Sequence, residues 1–327
     1  MSAPLPSCFP RPGLAALACG LLLSACGGGG GGGGSMPVLA VPSLSQLDAT
    51  ATSANASATG EDTAAAVDAV VDTTSSVALA LPAGVPVSGV TVDCAGGGTA
   101  TLSISGGTLS SEVNGQLDAG EHYSVVFAQC TDRAGSARLD GSVELDVLSA
   151  DRSTSPETLA VHLVVSHLTL AQPSGTVTLD GTATVSRSVT SDNGTTTTVS
   201  HVSVPSATLA TAFNGRDATF TVSDLDATRT QTSVGGVTTA SQFGGHMTLA
   251  GSADGRTLSL TFATAGNVTH GADGTLVSGA WTVVRPDATI ATTVANGLVV
   301  MTTDDGSDGT IDHTWTFTTA QLEAAAG

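Results

Sequence analysis

Asn214-Gly215-Arg216-Asp217-Ala218-Thr219-Phe220-Thr221-Val222 and Asp254-Gly255-Arg256-Thr257-Leu258-Ser259-Leu260-Thr261-Phe262 each join a turn dipeptide to an alternating run. Both central residues of a type I′ hairpin turn need positive φ, which Asn-Gly and Asp-Gly tolerate, so each dipeptide marks a reversal of the chain. After it, Ala218, Phe220 and Val222 alternate with Asp217, Thr219 and Thr221, and Leu258, Leu260 and Phe262 alternate with Thr257, Ser259 and Thr261. A period of two sends apolar side chains to one face and hydroxyls to the other, as in an antiparallel sheet covered on one side.

Outward from these two hairpins the same signals continue. Turn pairs recur at Asn193-Gly194, Gly235-Gly236, Asp273-Gly274 and Asn296-Gly297, about every 20 residues. Midway between them fall Pro205, the acidic Asp224 to Asp226, Gly244-Gly245, Gly266, Pro286 and the segment 304–309. Read as a second series of turns, these predict strands of about seven to nine residues. The alternation returns in Leu139, Gly141, Val143, Leu145 and Val147, in Val177, Leu179, Ala183 and Val185, and in Ile311, Trp315 and Phe317. The expected fold is all-β, an antiparallel up-and-down meander of about fifteen strands over residues 77–319. So many strands rarely stay flat, so the sheet is expected to curl into a barrel-like or two-layer form around a thin core of small residues. A membrane-spanning barrel needs an outward apolar band and aromatic girdles, and the chain holds one Tyr and two Trp, which speaks for a soluble domain.

One short helix is expected over residues 61–76, where Glu61 and Asp62 suit the positive end of a helix dipole and Val67, Val70 and Val71 follow at helical spacing. Ahead of it, residues 26–60 read as a flexible Gly/Ala/Ser/Thr linker, and residues 320–327 as a C-terminal tail with a short alanine-rich helix.

Composition removes several function classes. The chain carries 28 acidic residues against nine basic ones, for a net charge of −19. Every basic residue is Arg and Lys is absent. A nucleic-acid partner requires clustered cations that release counterions from phosphates, and no such cluster exists. Attraction to anionic headgroups through a basic patch is disfavoured for the same reason. The glycine run 27–34 cannot be a phosphate-binding loop, which needs a Lys, so it reads as a spacer.

The first residues carry an address. Arg11 precedes an apolar run over 13–23 that is followed by the small residues Ser24 and Ala25, a secretory signal layout. A spanning helix needs roughly 20 apolar residues, more than this run offers. Leu23-Ser24-Ala25-Cys26 resembles the lipobox of bacterial lipoproteins at all four positions. That resemblance implies cleavage of a signal peptide spanning 1–25, a thioether-linked diacylglycerol on Cys26 and acylation of its freed amine. Two or three acyl chains anchor stably where one is marginal. Position 27 is Gly rather than the Asp of an inner-membrane retention signal, so the resemblance implies an outer-membrane protein, periplasmic or surface-facing. The implied partner is the membrane, through the N-terminal lipid.

Beyond Cys26 the remaining cysteines of the exported chain are Cys94 and Cys130. An even pair in an oxidising compartment reads as a disulfide, which by chain entropy alone would stabilise by roughly 3–4 kcal/mol. The pattern Cys94-Ala95-Gly96-Gly97, Val126-Phe127-Ala128-Gln129-Cys130 and Leu139-Asp140-Gly141 is similar to a module of uncharacterised proteobacterial all-β outer-membrane lipoproteins and implies no activity.

Candidate chemistry is sparse. Gly-x-Ser-x-Gly, His-Glu-x-x-His and Ser-x-x-Lys are all missing from the sequence. The histidines, His122, His162, His167, His201, His246, His270 and His313, are scattered singly. His162 and His167 are expected on opposite faces of a regular strand, which argues against a two-His metal clip. Asp304, Asp308 and Asp312 stand at positions 1, 5 and 9 of a segment that partly resembles a calcium loop. Gly306 and Trp315 occupy positions where ligands belong, which favours an acidic hairpin turn. Trp281 and Trp315 read as core fillers. The expected function is a non-enzymatic outer-membrane lipoprotein without a cofactor, serving as a structural or surface binding module. The alternative is a lipocalin-like periplasmic carrier whose one-sided apolar face holds an apolar ligand.

Overall fold

The computed structural model describes residues 44–79, 88–94, 96–107, 116–131, 138–172, 175–213, 216–253 and 256–325. The segment 1–25 expected to be a signal peptide, Cys26 and the glycine run lie outside the described residues. Helix α1 (Gln46–Leu79) comes first. Fifteen strands follow: β1 (Val90–Asp93), β2 (Gly97–Ser105), β3 (His122–Thr131), β4 (Arg138–Asp151), β5 (Glu157–Gln172), β6 (Gly175–Asp192), β7 (Thr195–Phe213) and β8 (Arg216–Val234). The series continues with β9 (Val237–Ala253), β10 (Arg256–Thr264), β11 (Val268–Gly271), β12 (Leu276–Val284), β13 (Ala288–Ala295), β14 (Leu298–Asp305) and β15 (His313–Thr318), before the short helix α2 (Thr319–Ala325). Each strand pairs antiparallel with its sequence neighbours in one sheet, except at β10 and β11, which do not pair with each other: β9 runs past β10 to pair with β11 as well, and both β10 and β11 pair with β12.

The hairpin turns form where the dipeptides predict them. Asn193-Gly194, Gly235-Gly236 and Asn296-Gly297 all hold positive φ at both residues. Strands β7 and β8 pair down to Phe213↔Arg216, and β9 and β10 down to Ala253↔Arg256. The dipeptides between them, Asn214-Gly215 and Asp254-Gly255, lie outside the described residues.

Strand length departs from expectation. β5 to β9 run 16 to 19 residues, because Pro205, Asp224 to Asp226 and Gly244-Gly245 lie inside strands rather than at turns. Pro205 and Asp224 belong to a line of register irregularities that crosses the sheet: Gln129, Gly141, His167, Gly181, Pro205 and Asp224 lie at or beside shifts between β3 and β9. An inserted residue bends and twists its strand without ending it, so a row of bulges makes a crease. Two Leu-Asp-Gly triplets build it. Asp140 accepts a hydrogen bond from the bulged Gln129 N–H at 2.8 Å, and Asp180 one from His167 N–H at 2.6 Å. Both bulged residues have positive φ. The glycine after each Asp has positive φ as well, and a Cβ on Gly141 would run into the His167 carbonyl.

Helix α1 also departs from expectation. It starts fifteen residues ahead of the predicted helix, inside the stretch read as flexible linker, and extends to Leu79. Ser45 caps it: the Asp48 N–H donates to the Ser45 hydroxyl, which in turn donates to the Asp48 carboxylate. From Ala49 to Gly60 every residue but Ala58 is buried, on all sides of the helix. A helix lying on a flat sheet would expose its back, so the sheet wraps it. The helix packs against β2, β6 to β10, β12 and β13. Small residues allow that close approach, and several of the buried hydroxyls are satisfied along the helix itself. Thr50, Thr59, Thr63 and Thr74 donate to carbonyls four residues back, as does the Asn55 amide.

The core is therefore not thin. Trp281, Tyr123, Phe220, Phe262, Leu145, Leu163 and Leu249 are fully buried on the inner face of the sheet. Trp281 fills the core as expected. Trp315 is only partly buried and stacks on His313, and Ile311 is exposed because β15 begins after it. Cys94 and Cys130 are bonded, with Cα atoms 5.5 Å apart, and tie the residue just after β1 to the end of β3.

Replacing Gly141 or Gly181 by Ala is expected to cost more than ~1 kcal/mol each, because positive φ and a collision with the neighbouring strand add up. For Gly181 the added Cβ would lie 2.7 Å from Ala207. Urea midpoints of the two variants check this.

Candidate functional site

The groups capable of chemistry divide between the interior, along α1, and the outer face of the sheet. In the interior they meet α1 at three levels. At the first, the Trp281 indole N–H donates to the Ser53 hydroxyl at 2.9 Å, and Ser53 and Thr292 share a hydrogen bond of 2.6 Å. At the second, the Glu61 carboxylate lies 2.8 Å from Nε2 of His270. Burial pulls the imidazole down, but the Glu61 bond and charge outweigh it and raise its pKa. Next to it, burial and the Glu61 charge push Asp62 up to about 7, against the pull of Arg229.

At the third level Asp68, with 8% of its side chain exposed, takes Arg187 of β6 at 3.1 Å and Arg229 of β8 at 2.7 Å, while Asp72 takes Arg187 as well. Both arginines occupy inward positions of their strands, in line with Ala183 and Val185 and with Leu225 and Ala227. A cation at apolar parity is the sequence signal for this cluster, which the turn and alternation patterns alone do not show.

Beside this ionic level α1 leaves a cavity of about 100 Å³ toward β3 to β7. On the helix it is lined by Thr63, Ala66, Ala69, Val70 and Thr73. On the sheet it is lined by Phe127, Leu139, Val143, Leu168 and Leu170, together with Val177, Leu179 and Leu209. Leu139 and Val143 at its base are buried, whereas Ala66, Ala69, Val70, Leu170 and Leu179 are only partly so, and the cavity opens to solvent along that side. Its two hydroxyls are occupied, Thr63 donating to the Thr59 carbonyl and Thr73 to the Ala69 carbonyl.

On the outer face, His122 Nδ1 lies 2.7 Å and His162 Nδ1 3.7 Å from the Asp146 carboxylate that stands between them on β4. The His122 hydrogen bond is the main reason that Asp146 sits below its ordinary pKa. His201 pairs with Asp226 and His167 with Asp180. His162 and His167 share this outer face instead of taking opposite ones. The bulge between Val165 and Leu168 inserts a residue and resets the alternation. His313 lies 3.6 Å from Asp305, and His246 is exposed.

The segment with Asp304, Asp308 and Asp312 forms a turn whose carboxylates serve its own backbone. Asp304 accepts from the Asp308 and Gly309 N–H groups, Asp308 from Thr310 and Asp312 from Asp305. Among the described residues no group of three or more His, Cys, Asp or Glu is placed to hold a metal ion.

No family model, curated protein or solved structure matches this chain. The arrangement itself can do two things: neutralise charge inside a protein shell, and hold a small apolar group.

Removing Asp68 leaves two inward arginines short of a partner, so Asp68→Ala is expected to cost about 3–5 kcal/mol in urea unfolding. Stability should also fall as pH rises through neutrality. An acid held above its ordinary value of 3.8 stabilises fully below that value and loses the contribution as pH passes about 7. His270, raised above 6.5, acts in the same direction. Melting temperatures between pH 5 and pH 9 should show the decline, and Asp62→Asn should flatten it.

Proposed function

We propose that the chain is a non-enzymatic lipoprotein of the bacterial outer membrane, anchored through acyl chains on Cys26 and serving as a structural or surface binding module. The observation that carries the reading is Leu23-Ser24-Ala25-Cys26 followed at once by the glycine run 27–34. Gly27 in place of Asp supports the outer membrane as destination. No described helix is long and apolar enough to cross a membrane. Acidity adds a reason for a tether, since a surplus of 19 negative charges gives the domain no attraction of its own to anionic headgroups.

A second reading, a carrier of an apolar ligand, is favoured by the cavity between α1 and β3 to β7. Native mass spectrometry of protein taken from its own host should then show a co-purifying apolar molecule.

The anchor is tested by Cys26→Ser in cells fed radiolabelled palmitate. The wild-type protein should take up label and sediment with membranes, and the variant should lose both properties. A variant that sediments as before, with unchanged mobility, would overturn the reading.

A further inference from the structure

We infer that the cavity beside the C-terminal half of α1 is a binding site for one linear acyl chain supplied from outside the protein, a fatty acid or the single tail of a lipid. The inference deepens the carrier reading and rests on it for its biological purpose.

Shape and chemistry select the ligand. A cavity of about 150 Å³ accepts a benzene-sized molecule, and this one measures about 100 Å³. A ring system or sterol does not fit inside, whereas a narrow chain does. The lining offers methyl and methylene groups, and the hydroxyls of Thr63 and Thr73 already donate to helix carbonyls, so a carboxylate would find no free hydroxyl donor within. The open side, beside Ala66 and Leu170, lets a carboxylate or headgroup stay in water while the chain end enters.

The cavity is built into the fold. Asp68 and Asp72 hold this half of the helix toward Arg187 and Arg229 on β6 and β8. The helix side turned toward β3 to β5 carries Ala66 and Ala69, residues too small to close the gap.

The test uses the full-length Cys26→Ser protein, which carries no acyl chain, titrated with straight-chain acids from butanoate to dodecanoate. Affinity should rise roughly fourfold per methylene while each one is buried, then flatten once the cavity is full. Ala69→Leu should weaken octanoate binding at least tenfold, and Leu209→Ala should shift the plateau to longer acids. The second variant keeps the test decisive if the first does not fold. Absent binding, affinity independent of chain length, or a plateau unmoved by Leu209→Ala would overturn the assignment. So would lipidated wild-type protein that refuses octanoate while Cys26→Ser accepts it, since the occupant would then be the protein's own lipid. No acid binding, together with a different apolar molecule co-purifying from the host, sinks the acyl assignment and leaves the carrier reading. Binding in vitro with nothing co-purifying does the reverse.

Discussion

Everything in this structure depends on covering the apolar face of one very wide sheet. Fifteen antiparallel strands present an inner surface of Val, Leu, Ile and Phe that a flat sheet would leave in water. The long helix α1 inserted on that side, with the sheet wrapped around it and Leu322 of α2 added at the end, buries the surface from both directions. The helix is polar enough to be unremarkable in water and small enough to be tolerated inside. Thr50, Thr59 and Thr63 return their hydroxyls to the carbonyls one turn back, so burying these three does not leave their donors unmatched.

Wrapping demands curvature, and the crease across β3 to β9 supplies it. Asp140 and Asp180 do the same task on alternate strands, each holding the N–H of a bulged residue on the strand before it. The glycine that follows each Asp admits the backbone of the strand after it. The triplet therefore couples three neighbouring strands at one point. Long strands bent in the middle enclose more interior than short strands joined by turns, which is how β5 to β9 make room for a helix and still leave a cavity.

The alternation in Ala218 to Val222 and the Asn-Gly and Gly-Gly pairs made the strands, their order and the hairpins legible, because period and turn chemistry are local. The helix was legible only in part. Residues 46–60 have no apolar stripe, and a helix without one resembles a linker until its surroundings are known. Pro205 and Asp224 were ambiguous for a related reason: a breaker at mid-strand and a breaker at a turn look alike when the pairing partner is unseen. The arginines could have been found, since Arg187 and Arg229 keep the parity of buried neighbours. The cavity could not, because it depends on distances between a helix and strands far apart in the chain.

A helix without an apolar stripe raises a problem of register, for alanine and serine surfaces pack equally well at several rotations and offsets. Three polar contacts remove that freedom. Ser53 meets Trp281 and Thr292, Glu61 meets His270, and Asp68 joins Arg187 to Arg229. They fall at successive levels, so each fixes the rotation and offset that the others require. Buried ion pairs gain little over well-packed apolar side chains, but a displaced partner costs several kcal/mol. Their value here lies in that asymmetry: any other register of the helix would strand a carboxylate or an arginine in the interior. By the same constraint the helix cannot drift toward β3 to β5 without breaking the Asp68 pairs, so the space beside Ala66 and Ala69 persists as part of the folded state.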